Sequence, residues 1–247
     1  MVTNILNIDL LIQYKIRVSE LDIYNNLTVL IPTLNEEKNI KKLIDTIIQL
    51  YPGINIIVID DGSNDNTINI VKMYSAPILL LDRMNEPVKG LSISIKEGIS
   101  LVKTDYFMVI DGDFQHPPES LLDAYLCSQT EPDLIIGHRV KVESWPIHRK
   151  LMSWGAQFLG TVSLFLRRKK IPKDIMSGFF GGNTEKIKSI LDNNPIQPNG
   201  YKILFDILKS SSKNISISQF GYIFKDREFG TSKIGVKHMK SFIKALF

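Results

Sequence analysis

The sequence predicts an α/β protein: a mostly parallel β-sheet with helices on both faces. Two observations predict it. Short, near-continuously apolar runs such as NIIVID (55–60) alternate with segments of helical period, so each strand is covered on both sides. Acidic residues recur where those runs end, and in such sheets ligands bind beyond the carboxyl ends of the strands. The 247 residues show no internal repeat and no low-complexity linker, which favours one domain.

In chain order, TVLI (28–31) is a β-branched strand closed by Pro32. Asn35 offers a helix N-cap, with Glu36 and Glu37 in the first turn. Ile40, Leu43, Ile44, Ile47, Ile48 and Tyr51 share one helical face, and Pro52-Gly53 ends the helix. NIIVID is the second strand, and DGSNDNT supplies a turn and a cap for a helix near 65–75. PILLLD (77–82), a helix near 88–103 and YFMVID (106–111) continue the alternation. A helix starting at Pro117-Pro118 leads to the strand PDLIIGHR (132–139), and a more irregular, helical C-terminal third follows. Pro32, Asp60, Asp61 and Asp111 all fall at strand ends, pointing to one crevice.

Composition excludes several classes. A net charge of +4 suits anionic partners such as phosphates or acidic membrane but does not argue for nucleic acid. The single cysteine, Cys127, forms no internal disulfide and reads as packing, and the four histidines have no zinc-type spacing. LMSWGAQFLGTVSLFL (151–166) is shorter than the ~20 apolar residues a spanning helix needs. It ends in RRKK, so two readings stand: a buried helix with a solvated basic end, or a helix lying on an anionic membrane. No Gly-rich dinucleotide fingerprint and no P-loop occurs.

The chemistry concentrates in DGDFQ. Asp111 and Asp113 offer two hard oxygen ligands and Gln115 a neutral third, the donor set of Mg²⁺ or Mn²⁺ bound with substrate phosphates. A plain turn is the alternative. Three acidic strand ends in one sheet would repel one another without cations or donor groups. Asp61 and Glu36 suit a base N–H or a ribose hydroxyl, whereas Asp60 reads equally as a turn cap or a ligand. Arg139, Arg149, Arg227 and Lys233 supply positive charge, the last in FGTSK, a donor-rich loop suited to closing over a phosphate. DIMSGFFGG (174–182), with Asp174, is either an active-site wall or a packed connector.

PTLNEEKNI, VIDDGSNDNT, DGDFQHPPE, DIMSGFF, GYKILFDIL and FGTSK occur in an order that resembles the polyprenol-phosphate sugar synthases, the dolichyl-phosphate mannose synthase group of the family 2 glycosyltransferases. The resemblance runs from about residue 28 to 235. It implies a Rossmann-like GT-A fold with a membrane-facing C-terminal third, and inverting transfer from GDP-mannose to a polyprenyl or dolichyl phosphate with Mg²⁺ or Mn²⁺. UDP-glucose as donor is the alternative. Carried over, Pro32, Leu34, Glu36, Ile59 and Asp61 line the nucleoside pocket, and Asp111, Asp113 and Gln115 the metal site. Arg139, Arg149 and Ser153 fall to the acceptor phosphate, Arg227 and Lys233 to the donor phosphates. Asp113, Arg139, Arg149, Arg227 and Lys233 form the catalytic set.

The domain division is 1–27 as an N-terminal extension, 28–235 as the catalytic domain and 236–247 as an amphipathic basic segment. Peripheral association with the cytoplasmic face of a membrane is expected, with a separate anchoring partner left open. DGD replaces the usual DAD, and GGNTEK lacks the basic residue that often follows SGFF. Two rival classes are a phosphohydrolase with an aspartyl nucleophile and a nucleotide-sugar-binding protein without turnover.

Overall fold

The computed structural model describes residues 23–143, 147–194 and 202–227. Seven strands form one sheet: β1 (Leu27–Thr33), β2 (Asn55–Asp60), β3 (Ile78–Asp82), β4 (Tyr106–Val109), β5 (Leu134–Val142), β6 (Phe180–Asn183) and β7 (Ile217–Phe224). Their order across the sheet is β3-β2-β1-β4-β6-β5-β7. β1, β2, β3 and β4 run parallel, β6 is antiparallel to both β4 and β5, and β7 is parallel to β5. The helices are α1 (Ile40–Leu50), α2 (Thr67–Val71), α3 (Leu91–Leu101), α4 (Leu121–Ser128), α5 (Ile147–Leu166), α6 (Thr184–Asn193) and α7 (Ile203–Ser210).

Alternate residues of one strand enter opposite cores, which is why the strands read as unbroken apolar runs. Leu30, Ile57 and Ile59 pack with Ile95 of α3, Ile187 of α6 and Phe205 of α7. Val29, Ile31, Ile56 and Val58 pack on the other face with Ile40, Leu43, Ile44 and Ile47 of α1. Burying a side chain of this size contributes about 1.5–3 kcal/mol. Chain order reverses between β1 and β4, so the crevice beyond their carboxyl ends is the switch point where such sheets bind ligands.

The first helix starts at Ile40 rather than at an Asn35 cap. Asn35 takes a left-handed φ of 55° and bonds across to the loop after β2. Its N–H donates to Ser63 Oγ at 2.7 Å, and its Oδ1 accepts from the Asn64 N–H at 2.8 Å. Glu36 N–H donates to Thr67 Oγ1 (2.9 Å), which completes a stitch between the two strand-end loops. DIMSGFFGG is no simple connector, because its last residues form β6. A Cβ on Gly181 would collide with the Phe107 carbonyl, and one on Gly182 with the Asp133 carbonyl, so only glycines let β6 pass between β4 and β5. The C-terminal third thus contributes β6 and β7 to the sheet besides α6 and α7. Residues 1–22 and the segment 236–247 lie outside the described residues.

Candidate active site

A cleft of about 370 Å³ opens at the switch point. Pro32, Leu34, Glu36, Ile59 and Asp61 line one end. Asp111 and Asp113 follow β4, and Arg139, Arg149 and Arg227 line the same cleft. Ser153 instead lines an adjoining groove of about 400 Å³, which shares Arg139 with the cleft. Gln115 is buried beneath. Lys233 and the whole of FGTSK fall outside the described residues.

The Asp61 end of the cleft is held by a residue that the motifs do not announce. Arg83 is 1% exposed and sends Nε to Glu97 (2.6 Å), Nη1 to Ser94 Oγ (2.7 Å) and Nη2 to the Val88 carbonyl (2.8 Å). Nη1 also donates to Asp61, whose other oxygen accepts the Gly90 N–H at 2.7 Å. Asp61 is therefore an oriented acceptor at the cleft wall. Asp60 resolves as a turn and cap residue. It is fully buried and accepts from Ser63 N–H (2.7 Å), Ser63 Oγ (2.6 Å), Gly62 N–H (3.0 Å) and Thr33 Oγ1 (3.0 Å).

At the acidic pair, burial raises the pKa of both carboxyls, and the Asp111 charge raises Asp113 further. Arg227 opposes the shift in each. Arg227 Nε sits 3.0 Å from Asp113 Oδ2 and donates to Gln115 Oε1 at 3.0 Å. The Gln115 amide donates to the Lys225 carbonyl at 3.3 Å, tying the end of β7 to this turn. Asp111 keeps 34% of its side chain exposed. Among the described residues no three His, Cys, Asp or Glu side chains gather into a complete metal shell. Two carboxylates in reach of a cleft still fit Mg²⁺ or Mn²⁺, which commonly completes its shell with substrate phosphate and water.

The basic side is equally ordered. Arg139 grips Asp174 with Nε at 2.6 Å and Nη2 at 2.9 Å, a bidentate pair that lowers the Asp174 pKa despite its burial. Asp174 also accepts the Met176 N–H at 3.1 Å, and Lys202 Nζ donates to the Met176 carbonyl at 2.7 Å. The 174–178 segment is therefore clamped, with Met176, Ser177 and Gly178 as a wall of the cleft and Asp174 in the adjoining groove. Burial lowers the Lys202 pKa to about 8, assisted by Arg139 and opposed by Asp174 and Asp111. The Arg149 pKa is lowered by burial and then by Arg227 and Arg139, a crowd of cations that an anion would relieve. His116, fully buried beside Asp111, is pushed down to about 3 by desolvation and is neutral.

Sequence patterns pointed to none of Arg83, His116 and Lys202 as site residues. His116 and Lys202 lie inside quoted motifs, DGDFQHPPE and GYKILFDIL, which was the available signal; Arg83 had none.

The family model for glycosyl transferase family 2 matches residues 28–191. A dolichol-phosphate mannosyltransferase from Pyrococcus furiosus is 34% identical over 228 residues, covering 89% of this chain and 62% of the relative. The chain thus spans less than two thirds of that relative's length. Proteins of the same name from Mycosarcoma maydis and Saccharomyces cerevisiae are 26% and 27% identical, each over 89% of this chain and over 77% and 85% of their own lengths. Glucosyl-3-phosphoglycerate synthase from Mycobacterium tuberculosis, solved with Mn²⁺, UDP-glucose and phosphoglyceric acid, shares the GT-A-like fold. Its TM-score is 0.63 at 21% identity, over 90% of this chain and 78% of that one. With the family model covering most of the described sheet and its cleft, this chain belongs to glycosyl transferase family 2.

Proposed function

We propose that this protein moves mannose from GDP-mannose to a polyprenyl or dolichyl phosphate, with inversion at the anomeric carbon. The observation that carries the reading is one cleft with an oriented acceptor at Asp61, a carboxylate pair at Asp111 and Asp113, and Arg139, Arg149 and Arg227 around the pair. The name shared by the three relatives favours mannose and a dolichyl phosphate. Asp111 and Asp113 would hold Mg²⁺ or Mn²⁺, which supplies charge neutralisation to a departing diphosphate.

A phosphate monoester has a second pKa of about 6 and is largely dianionic at neutral pH, so the acceptor needs no strong base. Its oxygen forms the new bond to the anomeric carbon as the bond to the donor diphosphate breaks, and no proton is transferred. What the protein must offset is repulsion between two anions. Arg149 and the Asp174-anchored Arg139 do this beside Lys202, and Arg227 adds its charge at the carboxylate pair. Glu36 and Asp61 orient the nucleoside, and Lys233 falls to the donor phosphates.

Helix α5 supports a membrane-bound acceptor. Among its described side chains only Ala156, Gly160 and Leu164 are buried, while Leu151, Trp154, Phe158, Phe165 and Leu166 stay exposed. No helix among the described residues is long and apolar enough to cross a membrane. This face and the basic residues 167–170 suit an anionic surface at the cytoplasmic leaflet, with or without an anchoring partner. The test is a panel of labelled GDP- and UDP-sugars with a short polyprenyl phosphate, with and without chelator. Chelator-sensitive transfer from GDP-mannose is expected. Preferential use of UDP-glucose, or normal turnover by Asp113→Ala, would overturn the assignment.

A further inference from the structure

We propose that His116 is a positioning residue for Asp111: its ring nitrogen holds the Asp111 backbone and turns the carboxylate into the cleft. This rests on the reading of Asp111 as a cation ligand. The Asp111 N–H donates to His116 Nδ1 at 3.0 Å. A nitrogen that accepts carries no proton, so the ring is the neutral tautomer with its hydrogen on Nε2. The same Nδ1 lies 3.6 Å from Asp111 Oδ2. The Nδ1 lone pair is taken by the Asp111 N–H, so the ring offers the carboxylate no hydrogen bond, and the Asp111 oxygens are left to the cleft, where 34% of the side chain is exposed.

The turn is built to bring the two residues together. Phe114 takes a left-handed φ of 62°, which folds DGDFQ back so that position 116 reaches under position 111. Pro117 restricts His116 to extended backbone. The ring stacks on Phe179 (centroids 5.1 Å apart, 29° between planes) and meets the rings of Tyr222 and Phe224 at 5.4 and 5.6 Å. A Cβ on Gly178 would lie 3.1 Å from His116 Cε1 and 3.5 Å from both Asp111 oxygens, so glycine there leaves room for ring and carboxylate alike.

An ordinary core position does not explain an imidazole here. His116 is 0% exposed, and among the described residues its Nε2 has no hydrogen-bond partner. A buried unsatisfied N–H costs stability that phenylalanine in the same aromatic cage would not. The imidazole contributes the Nδ1 acceptor instead.

Two substitutions separate positioning from packing. His116→Phe keeps the ring and removes the acceptor, whereas His116→Asn keeps an acceptor at the δ position and leaves a cavity. Mn²⁺ binding to the full chain in the presence of GDP is read by electron paramagnetic resonance, alongside thermal stability. The expected pattern is crossed. His116→Phe retains its melting temperature and loses Mn²⁺ affinity by about tenfold or more. His116→Asn melts lower and holds Mn²⁺ within about threefold of wild type. Wild-type Mn²⁺ affinity in His116→Phe, or affinity that merely follows stability in both variants, would overturn the positioning role alone. A wild-type protein that binds no Mn²⁺ with GDP would overturn the cation reading and this inference with it.

Discussion

Replacing Arg227 with alanine should tighten Mn²⁺ binding in the absence of nucleotide and weaken GDP binding in the presence of Mn²⁺. In the structure the guanidinium faces Asp113 Oδ2 at 3.0 Å and Gln115 Oε1 at 3.0 Å, two of the three oxygens expected to face the cation. A metal entering without a nucleotide must displace it. Hydrogen bonds to charged groups contribute about 1.5–3 kcal/mol. Arg227 retains 20% exposure, so a single net contribution near the lower value is appropriate. Removing ~1.5 kcal/mol of competition tightens donor-free Mn²⁺ binding roughly tenfold. With GDP present, the displaced guanidinium would meet the diphosphate, and Arg227→Ala should weaken GDP binding by a similar factor. Calorimetric titration of Mn²⁺ alone, then of GDP with Mn²⁺ saturating, reads both effects. Weaker donor-free Mn²⁺ binding in the variant would mean that Arg227 supports the metal site rather than occupying it. Unchanged GDP affinity would remove its phosphate role.

Three further outcomes follow from the structure. Asp206 is 8% exposed in α7, and burial raises its pKa to about 6 against the partial pull of Lys209. A raised carboxyl stabilises the fold below the unfolded pKa near 3.9 and loses that contribution as pH rises through 6, so Asp206→Asn should gain about 1–3 kcal/mol at pH 7.5 and nothing at pH 3.5 in urea titrations. Asp174→Asn leaves the 14%-exposed Arg139 without its bidentate partner, which should cost about 3 kcal/mol in urea unfolding and raise KM for the acceptor more than for the donor. Trp154→Glu with Phe165→Glu should abolish flotation with anionic vesicles, which in the wild type should weaken with salt; no wild-type flotation would discard the membrane face.

Most of the sheet could be read from the chain because strands covered on both faces leave no polar alternation to blur them. β6 and β7 were not read, since the C-terminal third was expected to be irregular and helical. The FGGN sequence of β6 has almost no side chains to signal a strand, and it is placed by the close approach of β4 and β5 on either side. The expected α1 boundary failed at Asn35 because the residue bonds across to Ser63 and Asn64, a long-range contact that local capping rules do not contain. The acidic strand ends were visible as a problem of uncompensated charge. Which cation answers each was not visible, since Arg83, Arg139 and Arg227 lie 22, 35 and 114 residues from their partners Asp61, Asp174 and Asp113.

Those three pairs differ in a way that matches the proposed chemistry. The exposures of Arg83, Arg139 and Arg227 are 1%, 14% and 20%, while those of Asp61, Asp174 and Asp113 are 14%, 9% and 5%, so each pair has a buried partner and none is cheap to break. What separates them is how the arginine is held. Arg83 is locked by Glu97, Ser94 and the Val88 carbonyl as well as by Asp61, and Arg139 grips Asp174 with two nitrogens, so the Asp61 end and the Asp174 wall are set before any ligand arrives. The Arg227–Asp113 pair stands where a metal and a diphosphate would enter, and it is the pair that they would replace. A site that moved all three pairs would spend binding energy on rearrangement; one that moves this pair alone confines the change to where negative charge arrives and leaves.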